Sequence, residues 1–494
     1  MLICNKSSKI AGVFQFSGGK RLIKNFAFLF IGRIASNVLA FVAVAYIARI
    51  LSPKGFGILS FAQAVLAYAI VISDLGLRNL GIREIARLPE KRHEYISNIL
   101  TFRLFLALLG YLLLTVIVCL IHKNRETETI ILIFGISLFF SATLMDWIFI
   151  GLEKMEFSAL AETVRYLVYI TLIFIFIKNP DDLIVVAIIY VIATSVPAIL
   201  LYRVYQRNHA SLSLTVNLSF WNMLFKEAMP IGVAMILTQA YVNIDIIMLE
   251  FMKGNQIVGW YSAAVRLVAI AAGLGSLFPI SIYPMVAKAH KESVLKSEKV
   301  MNLSSKIISA TAIPITVAGA IIASHLVSLI YGAGYSESII GFQILVGGIF
   351  FILMNHLIER FLIICGRQRQ FMKVVGLGCL TNIILNLLLI PKFDLVGASI
   401  ATLSTQFMIF AFGYYYANSV INMDLIKYLP KPLLASVCMG AILWANVKSL
   451  QMSQNVIANT VMALILSTFI YFLSMILIKG FTKHEYEALK KLLK

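Results

Sequence analysis

Two arginines lie inside long apolar stretches of this sequence, where a positive charge is energetically expensive. Arg33 is about eight residues into the apolar run Phe26–Leu51, and Arg266 lies in the apolar window 258–285. An arginine at the centre of a membrane helix costs about 2.5–3.5 kcal/mol on insertion scales, so it should face protein or water rather than lipid. The chemistry open to such a residue is electrostatic, because its guanidinium can hold an opposite charge. We interpret both as facing an interior cavity, with a structural ion pair as the alternative.

Other ionisable residues inside the apolar stretches are candidates for the same interior path. Asp245 lies near the end of its stretch, where it would neutralise Arg266 or bind a proton or cation; a helix-end cap is the alternative. His356 and Glu359 occupy neighbouring turns and would form a proton relay. These three residues are the candidates for coupling transport to an ion.

Arg165 and three residues near the inner ends of the stretches complete the candidate set. Arg165 is a candidate for a cavity-facing role, and Arg78 is a candidate on the same side as the amino terminus. We expect structural pairs here, in which Asp74 neutralises Arg78 and Asp146 neutralises Lys154. Pairing is expected because an unpaired charge within a membrane is costly.

The composition excludes most soluble and enzymatic classes. Hydrophobic residues make up 60% of the chain and charged residues 13%, and the mean hydropathy is +0.90. The net charge of +19 comes from basic residues scattered in short loops, which argues against a nucleic-acid-binding face. The five cysteines form no CxxC pair, and no P-loop, HExxH or GxSxG motif is present. We therefore predict a channel or carrier, not an enzyme, with no cofactor and no metal.

Fourteen apolar windows are long enough to cross the roughly 30 Å hydrocarbon core as helices. They predict an all-α integral membrane protein, and the eleventh and twelfth windows divide near Pro391. The windows fall at about 25–50, 56–77, 98–121, 129–151, 159–177, 183–202, 228–252, 258–285, 303–331, 340–364, 372–391, 394–417, 430–447 and 456–478.

The basic residues set the expected orientation. The segments on the side of the amino terminus carry 29 Lys and Arg, whereas the opposite segments carry eight. The positive-inside rule therefore places both termini in the cytoplasm. Arg103 and Arg360 lie close to the cytoplasmic ends of their spans, so we expect their side chains to extend to the membrane surface.

An internal repeat suggests two halves of six helices each. Gly57-Ile-Leu-Ser60 and Gly259-Trp-Tyr-Ser262 open corresponding spans 202 residues apart. An even number of spans keeps the orientation of the second half parallel to that of the first. The expected organisation is a cytoplasmic tail at 1–24, bundles at 25–202 and 228–417, a cytoplasmic linker at 203–227, two further helices at 430–478 and a cytoplasmic tail at 479–494.

Five motifs are spread along the chain. They are Tyr46-Ile-Ala-Arg-Ile-Leu-Ser-Pro-Lys-Gly-Phe-Gly57, Asp74-Leu-Gly-Leu77 with Arg83-Glu-Ile-Ala86, Trp147-Ile-Phe-Ile-Gly-Leu-Glu-Lys-Met155, Tyr331-Gly332 with Tyr335, and Gly397-Ala-Ser-Ile-Ala-Thr402. In this order they resemble the motifs of the O-antigen and capsule-type flippases, in the multidrug/oligosaccharidyl-lipid/polysaccharide exporter superfamily. The resemblance covers essentially the whole chain.

The resemblance implies two six-helix bundles around a central cavity, with two additional helices at the carboxyl end. It implies a location in the bacterial cytoplasmic (inner) membrane and a function in surface polysaccharide synthesis. The substrate would be an undecaprenyl-pyrophosphate-linked oligosaccharide, moved to the outer leaflet by alternating access. Arg33 and Arg266 would bind the pyrophosphate, with Arg165 and Arg78 as further candidates. The expected partners are this lipid-linked oligosaccharide, membrane lipids, and a polymerase or other polysaccharide assembly proteins, but no nucleic acid.

Two alternatives remain open at this point. The first is a cation- or proton-coupled exporter of small amphiphiles from the same superfamily; fourteen spans count against it, because that branch usually has twelve. The second is a membrane polysaccharide polymerase or ligase. Such enzymes usually carry a long outer loop with Arg and His, whereas the outer loops predicted here are short.

Overall fold

The structure, a computed structural model, describes residues 19–208, 214–450 and 456–481, and the described side chains begin at Ser36. Within these ranges the chain forms α-helices and two 3₁₀ turns, Pro89–Lys91 and Ala333–Tyr335, without any β-strand. The helices are α1 Gly19–Asp74, α2 Leu77–Arg87, α3 Arg92–Ile121, α4 Arg125–Thr143, α5 Asp146–Gly151, α6 Met155–Phe176, α7 Leu183–Asn208, α8 Leu218–Lys253, α9 Asn255–Glu292, α10 Val294–Tyr331, α11 Ser338–Val346, α12 Ile349–Ile364, α13 Gln368–Asn418, α14 Leu425–Tyr428, α15 Pro430–Leu450 and α16 Val456–Leu477.

The apolar helices confirm the predicted all-α membrane class. Of the described residues, eleven helical stretches are long and apolar enough to cross a membrane, or twelve when the bent pair α11 and α12 counts as one span. Two helices are long enough for two crossings: α1 has 56 residues and α13 has 51. A helix of 51 residues would extend about 75 Å, more than twice the hydrocarbon thickness.

A break divides each of these two long helices. The backbone leaves helical geometry at Ser52 in α1 (φ 63°, ψ 168°) and at Asp394 in α13 (φ 50°, ψ −127°). Both breaks lie at the boundaries between predicted spans, the second within three residues of Pro391. Two crossings in each broken helix would give the fourteen of the sequence prediction, and the exact number of spans stays a prediction.

The chain forms two compact units. The first contains the chain up to Val44, Ala69–Lys178 and Ile184–Met235, and the second contains Ala45–Tyr68, Asn179–Leu183 and Ile236–Lys494. The predicted bundles at 25–202 and 228–417 follow the order of the spans along the chain. The compact units differ from that order in three places, because 45–68 and 179–183 belong to the second unit and 228–235 belongs to the first. The six-helix layout therefore stays a prediction.

In the first unit, the short helices α2 and α5 pack against each other beside α3. Gly81 on α2 allows this contact, since a Cβ there would lie 2.4 Å from Cε3 of the buried Trp147 on α5. The start of α8 joins the same core through Trp221, whose ring stacks on Phe102 of α3 at a centroid distance of 5.0 Å. This packing fixes the positions of the charged residues on α2, α3 and α5.

In the second unit, two glycines bring α1 and α9 together at their backbones. A Cβ at Gly57 would lie 1.8 Å from the carbonyl oxygen of Asn255, and a Cβ at Gly259 would lie 1.8 Å from that of Pro53. The contact is reciprocal, because each glycine meets the backbone four residues before the other glycine. We call this contact the glycine seam.

The repeat offset of 202 residues recurs in the backbone geometry beside the glycine seam. Ser52 has φ 63° and ψ 168°, and Gly254 has φ 89° and ψ 176°. These equivalent breaks start the two helical segments that meet at the seam. The short internal repeat of the sequence therefore marks two equivalent corners of the fold.

Two tyrosines of the motif Tyr331-Gly332 with Tyr335 bind backbone near the glycine seam. The buried Tyr335 hydroxyl donates to the carbonyl oxygen of Ala48 at 2.7 Å. The Tyr331 hydroxyl donates to the carbonyl oxygen of Ala263 at 3.2 Å. Ala48 lies in the last turn before the break at Ser52, where carbonyl groups lack partners within the helix. Tyr335 thus stabilises the end of the first segment of α1.

Candidate substrate and coupling sites

Arg266 lies on α9, two turns beyond Gly259 of the glycine seam. Its Nη2 donates to Oε1 of Gln63 on α1 at 2.8 Å. Gln63 is neutral, so the bond orients the guanidinium without compensating its charge, and it uses one of five N–H donors. Arg33 lies on α1, but its side chain falls outside the described residues. Arg266 is therefore the described arginine best suited to receive an anionic ligand.

Arg78 and Arg165 in the first unit already have acidic partners. Arg78 donates through Nε and Nη2 to Oδ2 of Asp146 at 3.1 and 2.5 Å. Arg165 lies 3.3 Å from Oε1 of Glu162 and 4.9 Å from the ring centroid of Tyr166. The charge of each guanidinium is compensated locally, which weakens both as candidates for binding a substrate anion.

Arg103 and Asp74 form a buried ion pair. Arg103 Nε lies 3.1 Å from Asp74 Oδ1, and the side chains are only 5% and 8% exposed. The Arg103 guanidinium also donates to the carbonyl oxygens of Ser141 and Leu144 at the end of α4. It therefore neutralises a carboxylate and satisfies a helix carboxyl end at once.

Three expectations for this region are wrong. Asp74 pairs with Arg103 and not with Arg78, and Asp146 pairs with Arg78 and not with Lys154. Arg103 is buried in protein and does not extend to the membrane surface. The reason is the packing of α2, α3 and α5. It places each carboxylate next to an arginine that is distant in sequence, instead of the basic residue nearest to it along the chain.

Asp245 on α8 is the centre of a buried polar cluster in the second unit. Tyr261 Oη and Thr402 Oγ1 each approach its Oδ2 at 2.6 Å, and Asn386 Nδ2 donates to its Oδ1. Asn386 in turn donates to Asn382, one turn earlier on α13. All of these partners are neutral. The Asp245 carboxyl group is 4% exposed and has no basic partner in the described part of the chain.

The expected neutralisation of Arg266 by Asp245 is not found. Arg266 binds Gln63, and the oxygens of Asp245 face the hydroxyl and amide groups around them. The alternative of a helix-end cap is not found either, because Asp245 is buried within α8, eight residues before the last residue of that helix. A role as a proton or cation site stays a prediction.

A cavity of about 230 Å³ adjoins Asp245 within the second unit. Its walls are mostly apolar, with Asp245 and Thr402 among the few polar groups. Residues that line it include Tyr241, Val265, Val268, Leu345 and Gln406. The cavity gives a small ligand a place to reach the acid from an apolar environment.

His356 and Glu359 lie close enough to interact on α12. Nδ1 of His356 is 3.7 Å from Oε2 of Glu359, and the side chains are 43% and 38% exposed. Two partly exposed ionisable groups within an apolar helix can exchange protons with an aqueous path. Their role as a relay stays a prediction.

The family model described as "Polysaccharide biosynthesis protein" matches residues 22–290, which is more than half of the chain. This chain belongs to the polysaccharide biosynthesis protein family. The match includes both halves of the glycine seam, Arg266 and Asp245, and it confirms the predicted family. Three of the five motifs lie within the matched range, and those at 331–335 and 397–402 lie beyond it.

Relatives in bacteria extend the similarity beyond the family model. A protein of Shigella dysenteriae described as an O-antigen transporter is 28% identical over 54% of this chain and 67% of its own length. An O-antigen transporter of Escherichia coli K12 is 22% identical over 78% of this chain and 94% of its own. The capsular polysaccharide biosynthesis protein CapF of Staphylococcus aureus is 23% identical over 81% and 100%.

Solved transporter structures share the fold. The lipid II flippase MurJ in an inward closed conformation superposes with a TM-score of 0.73 at 16% identity, over 91% of this chain and 98% of MurJ. An inward-facing multidrug resistance transporter of the MATE family superposes with a TM-score of 0.63 at 15% identity, over 78% and 95%. At these identities the likeness shows the fold alone.

Sequence reasoning missed three residues of the Asp245 cluster: Tyr261, Asn382 and Asn386. The available signal was the spacing of Asn382 and Asn386, four residues apart in an apolar span. That spacing puts two amides on one face of a helix, where a membrane interior requires them to find a polar partner.

Proposed function

We propose that this protein is a flippase that moves undecaprenyl-pyrophosphate-linked oligosaccharide units across the bacterial cytoplasmic membrane by alternating access. The family, the O-antigen and capsule relatives and the MurJ-like fold support a polysaccharide-related lipid flippase. Our proposal adds to this the identity of the carrier, a polyprenyl lipid that bears a pyrophosphate.

Both termini lie in the cytoplasm in this proposal. Reporter fusions at Lys123 or Lys253 that report the cytoplasm would contradict this orientation.

Arg266 is the observation that carries the pyrophosphate assignment. It is an arginine in an apolar helix whose side-chain partner, Gln63, is neutral. Holding this charge within the membrane is costly, and an anionic ligand that enters the site offsets the cost. A pyrophosphate carries at least two negative charges and accepts bidentate hydrogen bonds from a guanidinium.

Arg33 and Arg266 are the two residues proposed to bind the pyrophosphate head group, one from each sequence repeat. Arg165 and Arg78 remain secondary candidates, because Glu162 and Asp146 already compensate their charges. The buried Asp245 cluster would couple the movement to a proton or a cation, with His356 and Glu359 as a second candidate relay.

Depletion of the protein in cells tests this function. We expect carrier-linked oligosaccharide to accumulate where a membrane-impermeant probe of the outer leaflet cannot reach it. Re-expression of the wild-type protein should restore the exposure of these sugars within the same cells. Normal exposure after full depletion would contradict the proposal.

The observation that favours a second candidate, a coupled exporter of small amphiphiles, is the apolar cavity beside Asp245. An apolar chamber with a single acid suits a lipophilic cation as well as a coupling ion. Export of such cations by cells that retain normal surface polysaccharide after depletion would favour this alternative.

A further inference from the structure

Five of the arginines singled out in the sequence divide into two classes by the charge of their partners. Three of them pair with acids within the first unit, whereas two in the second unit have no carboxylate within ion-pair distance among the described residues. The first class is Arg78, Arg103 and Arg165, and the second class is Arg266 and Arg360. Arg266 belongs to the proposed head-group site, so Arg360 is the uncompensated charge among these five that the proposed function leaves unused.

Arg360 on α12 lies beside the ring of Tyr283 on α9. Its Cζ is 5.9 Å from the ring centroid, and its Nε is buried without a hydrogen-bond partner in the described part of the chain. An aromatic face attracts a guanidinium without occupying the N–H donors in the guanidinium plane. The nearby acid Glu359 faces His356 at 3.7 Å. The donors of Arg360 are therefore available to an anion.

The expectation that Arg360 extends to the membrane surface stays a prediction. Its Nε is buried and its guanidinium lies next to a ring, whereas the residue as a whole is partly exposed. An arginine in this position can hold its stem against protein and keep part of its charged head accessible.

Arg360 and Arg266 lie at different positions along α9. Tyr283, which contacts Arg360, and Arg266 are both on α9, 17 positions apart. At a rise of 1.5 Å per residue, this spacing corresponds to about 25 Å along a straight helix. The two arginines are therefore treated as separate positions on the path of a head group.

We propose that Arg360, held against Tyr283, is a second binding site for the phosphate-bearing head group of an isoprenoid-linked substrate. In the proposed orientation this site lies near the cytoplasmic end of α9, where it receives the head group before the head group reaches Arg266. The inference rests on the proposed function and adds an entry site to it. The ligand class is a phosphate or pyrophosphate ester of a polyprenol.

Cys365 gives a native reporter for this site. It lies five residues beyond Arg360, directly after α12, and is partly exposed. With the other four cysteines replaced by serine, the rate of alkylation of Cys365 can be measured in the purified protein in lipid nanodiscs. We expect undecaprenyl pyrophosphate to slow this alkylation, and we expect undecaprenol, which has the same tail without phosphate, to leave it unchanged.

Substitution then assigns the protection to Arg360. Arg360→Ala and Arg360→Gln should raise the lipid concentration needed for protection at least tenfold, and Tyr283→Leu should raise it to a smaller extent. The matched control is Arg369→Ala, which removes an exposed positive charge at the start of α13 and should keep the protection.

A comparison with inorganic pyrophosphate shows whether the site binds the free anion or the lipid. Protection of Cys365 by inorganic pyrophosphate shows that the site recognises the anion without a tail. Protection by the lipid but not by inorganic pyrophosphate shows that the polyprenyl tail contributes to binding.

The outcomes separate this inference from the proposed function. Equal protection in the Arg360→Ala variant, or no protection of Cys365 by lipid in a protein that flips its substrate, would overturn the entry site and leave the flippase standing. Arg266→Ala should slow flipping while the lipid still protects Cys365. A wild-type protein that flips no lipid-linked oligosaccharide would instead overturn the proposed function.

Discussion

At the scale of single residues, the partner of a charged group decides what that group can do in a membrane. Arg78, Arg103 and Arg165 pair with carboxylates, so their charges serve the fold. Arg266 pairs with the neutral amide of Gln63, so this bond leaves its charge uncompensated. Asp245 is the corresponding acid, because its partners are all neutral and none of them compensates a negative charge.

Arg266→Ala should lower flipping without reducing the amount of folded protein. Loss of hydrogen bonds to a charged ligand removes about 1.5–3 kcal/mol, which corresponds to roughly a ten- to hundredfold lower rate. Arg266→Lys should recover part of the rate, because lysine keeps the charge but lacks the planar fork. The initial rate of appearance of sugar in the outer leaflet measures both variants. A normal rate for Arg266→Ala would make Arg266 a structural residue.

Asp245→Asn should impair coupled transport while insertion in the membrane stays normal. Asparagine keeps the shape of the side chain but cannot carry the charge that a coupling cation or proton requires. The measurement is transport under an imposed ion or proton gradient, with Asp181→Asn as a control in an exposed position. Gradient-dependent transport equal to that of the wild type would show that Asp245 only holds α8, α9 and α13 together.

Arg103→Ala should destabilise the first unit strongly. It leaves Asp74 as a buried charge without a partner, and breaking such a pair typically costs about 3–5 kcal/mol. The free energy of unfolding of the purified protein measures the loss. Replacement of both residues, Arg103→Gln with Asp74→Asn, should recover part of the stability, because no bare charge remains. An unchanged stability of Arg103→Ala would contradict the buried pair.

At the scale of helices, the glycine seam explains why the two repeats meet where they do. Ser52 and Gly254 bend the chain in the same way, and Gly57 and Gly259 then allow backbone contact on both sides. The tyrosines at 331 and 335 bind carbonyl groups of the same two helices. Arg266 and Gln63 follow on these helices, so the seam sets the distance between them.

Gly57→Ala and Gly259→Ala should therefore disturb the protein to a similar degree. Each added methyl group would lie 1.8 Å from a carbonyl oxygen, so the helices must separate. Overpacking of this kind costs about 1–3 kcal/mol, and the melting temperature and the flipping rate should both fall. The control is Gly273→Ala on the same helix α9, where a Cβ would meet nothing within 4 Å. Equal behaviour of all three variants would contradict the seam.

At the scale of the whole molecule, the sequence predicts the class of fold because a membrane imposes a length on each apolar helix. The break in α13 beside Pro391 and the equivalent corners at Ser52 and Gly254 follow from such local signals. The partners of Asp74 and Asp146 could not be predicted, since they depend on which faces of α2, α3 and α5 meet. The amides around Asp245 were missed for the same reason, as α8 and α13 are far apart in sequence.

The division into units shows a second limit of the sequence. The predicted bundles change at the loop between α7 and α8, whereas the compact units change within α8, between Met235 and Ile236. An apolar window shows where a helix can cross the membrane. It does not show which neighbours each end of that helix packs against.

Flipping by the purified protein tests most directly whether this protein moves a pyrophosphate-linked oligosaccharide across a membrane. Proteoliposomes should be loaded with undecaprenyl-pyrophosphate-linked oligosaccharide, and its arrival in the opposite leaflet should be followed with an impermeant sugar-modifying enzyme, with and without ion gradients. We predict flipping well above that of protein-free vesicles, and a rate lowered about ten- to hundredfold by Arg266→Ala. Flipping equal to that of protein-free vesicles under every gradient, by protein that is folded and inserted, would contradict the proposed function.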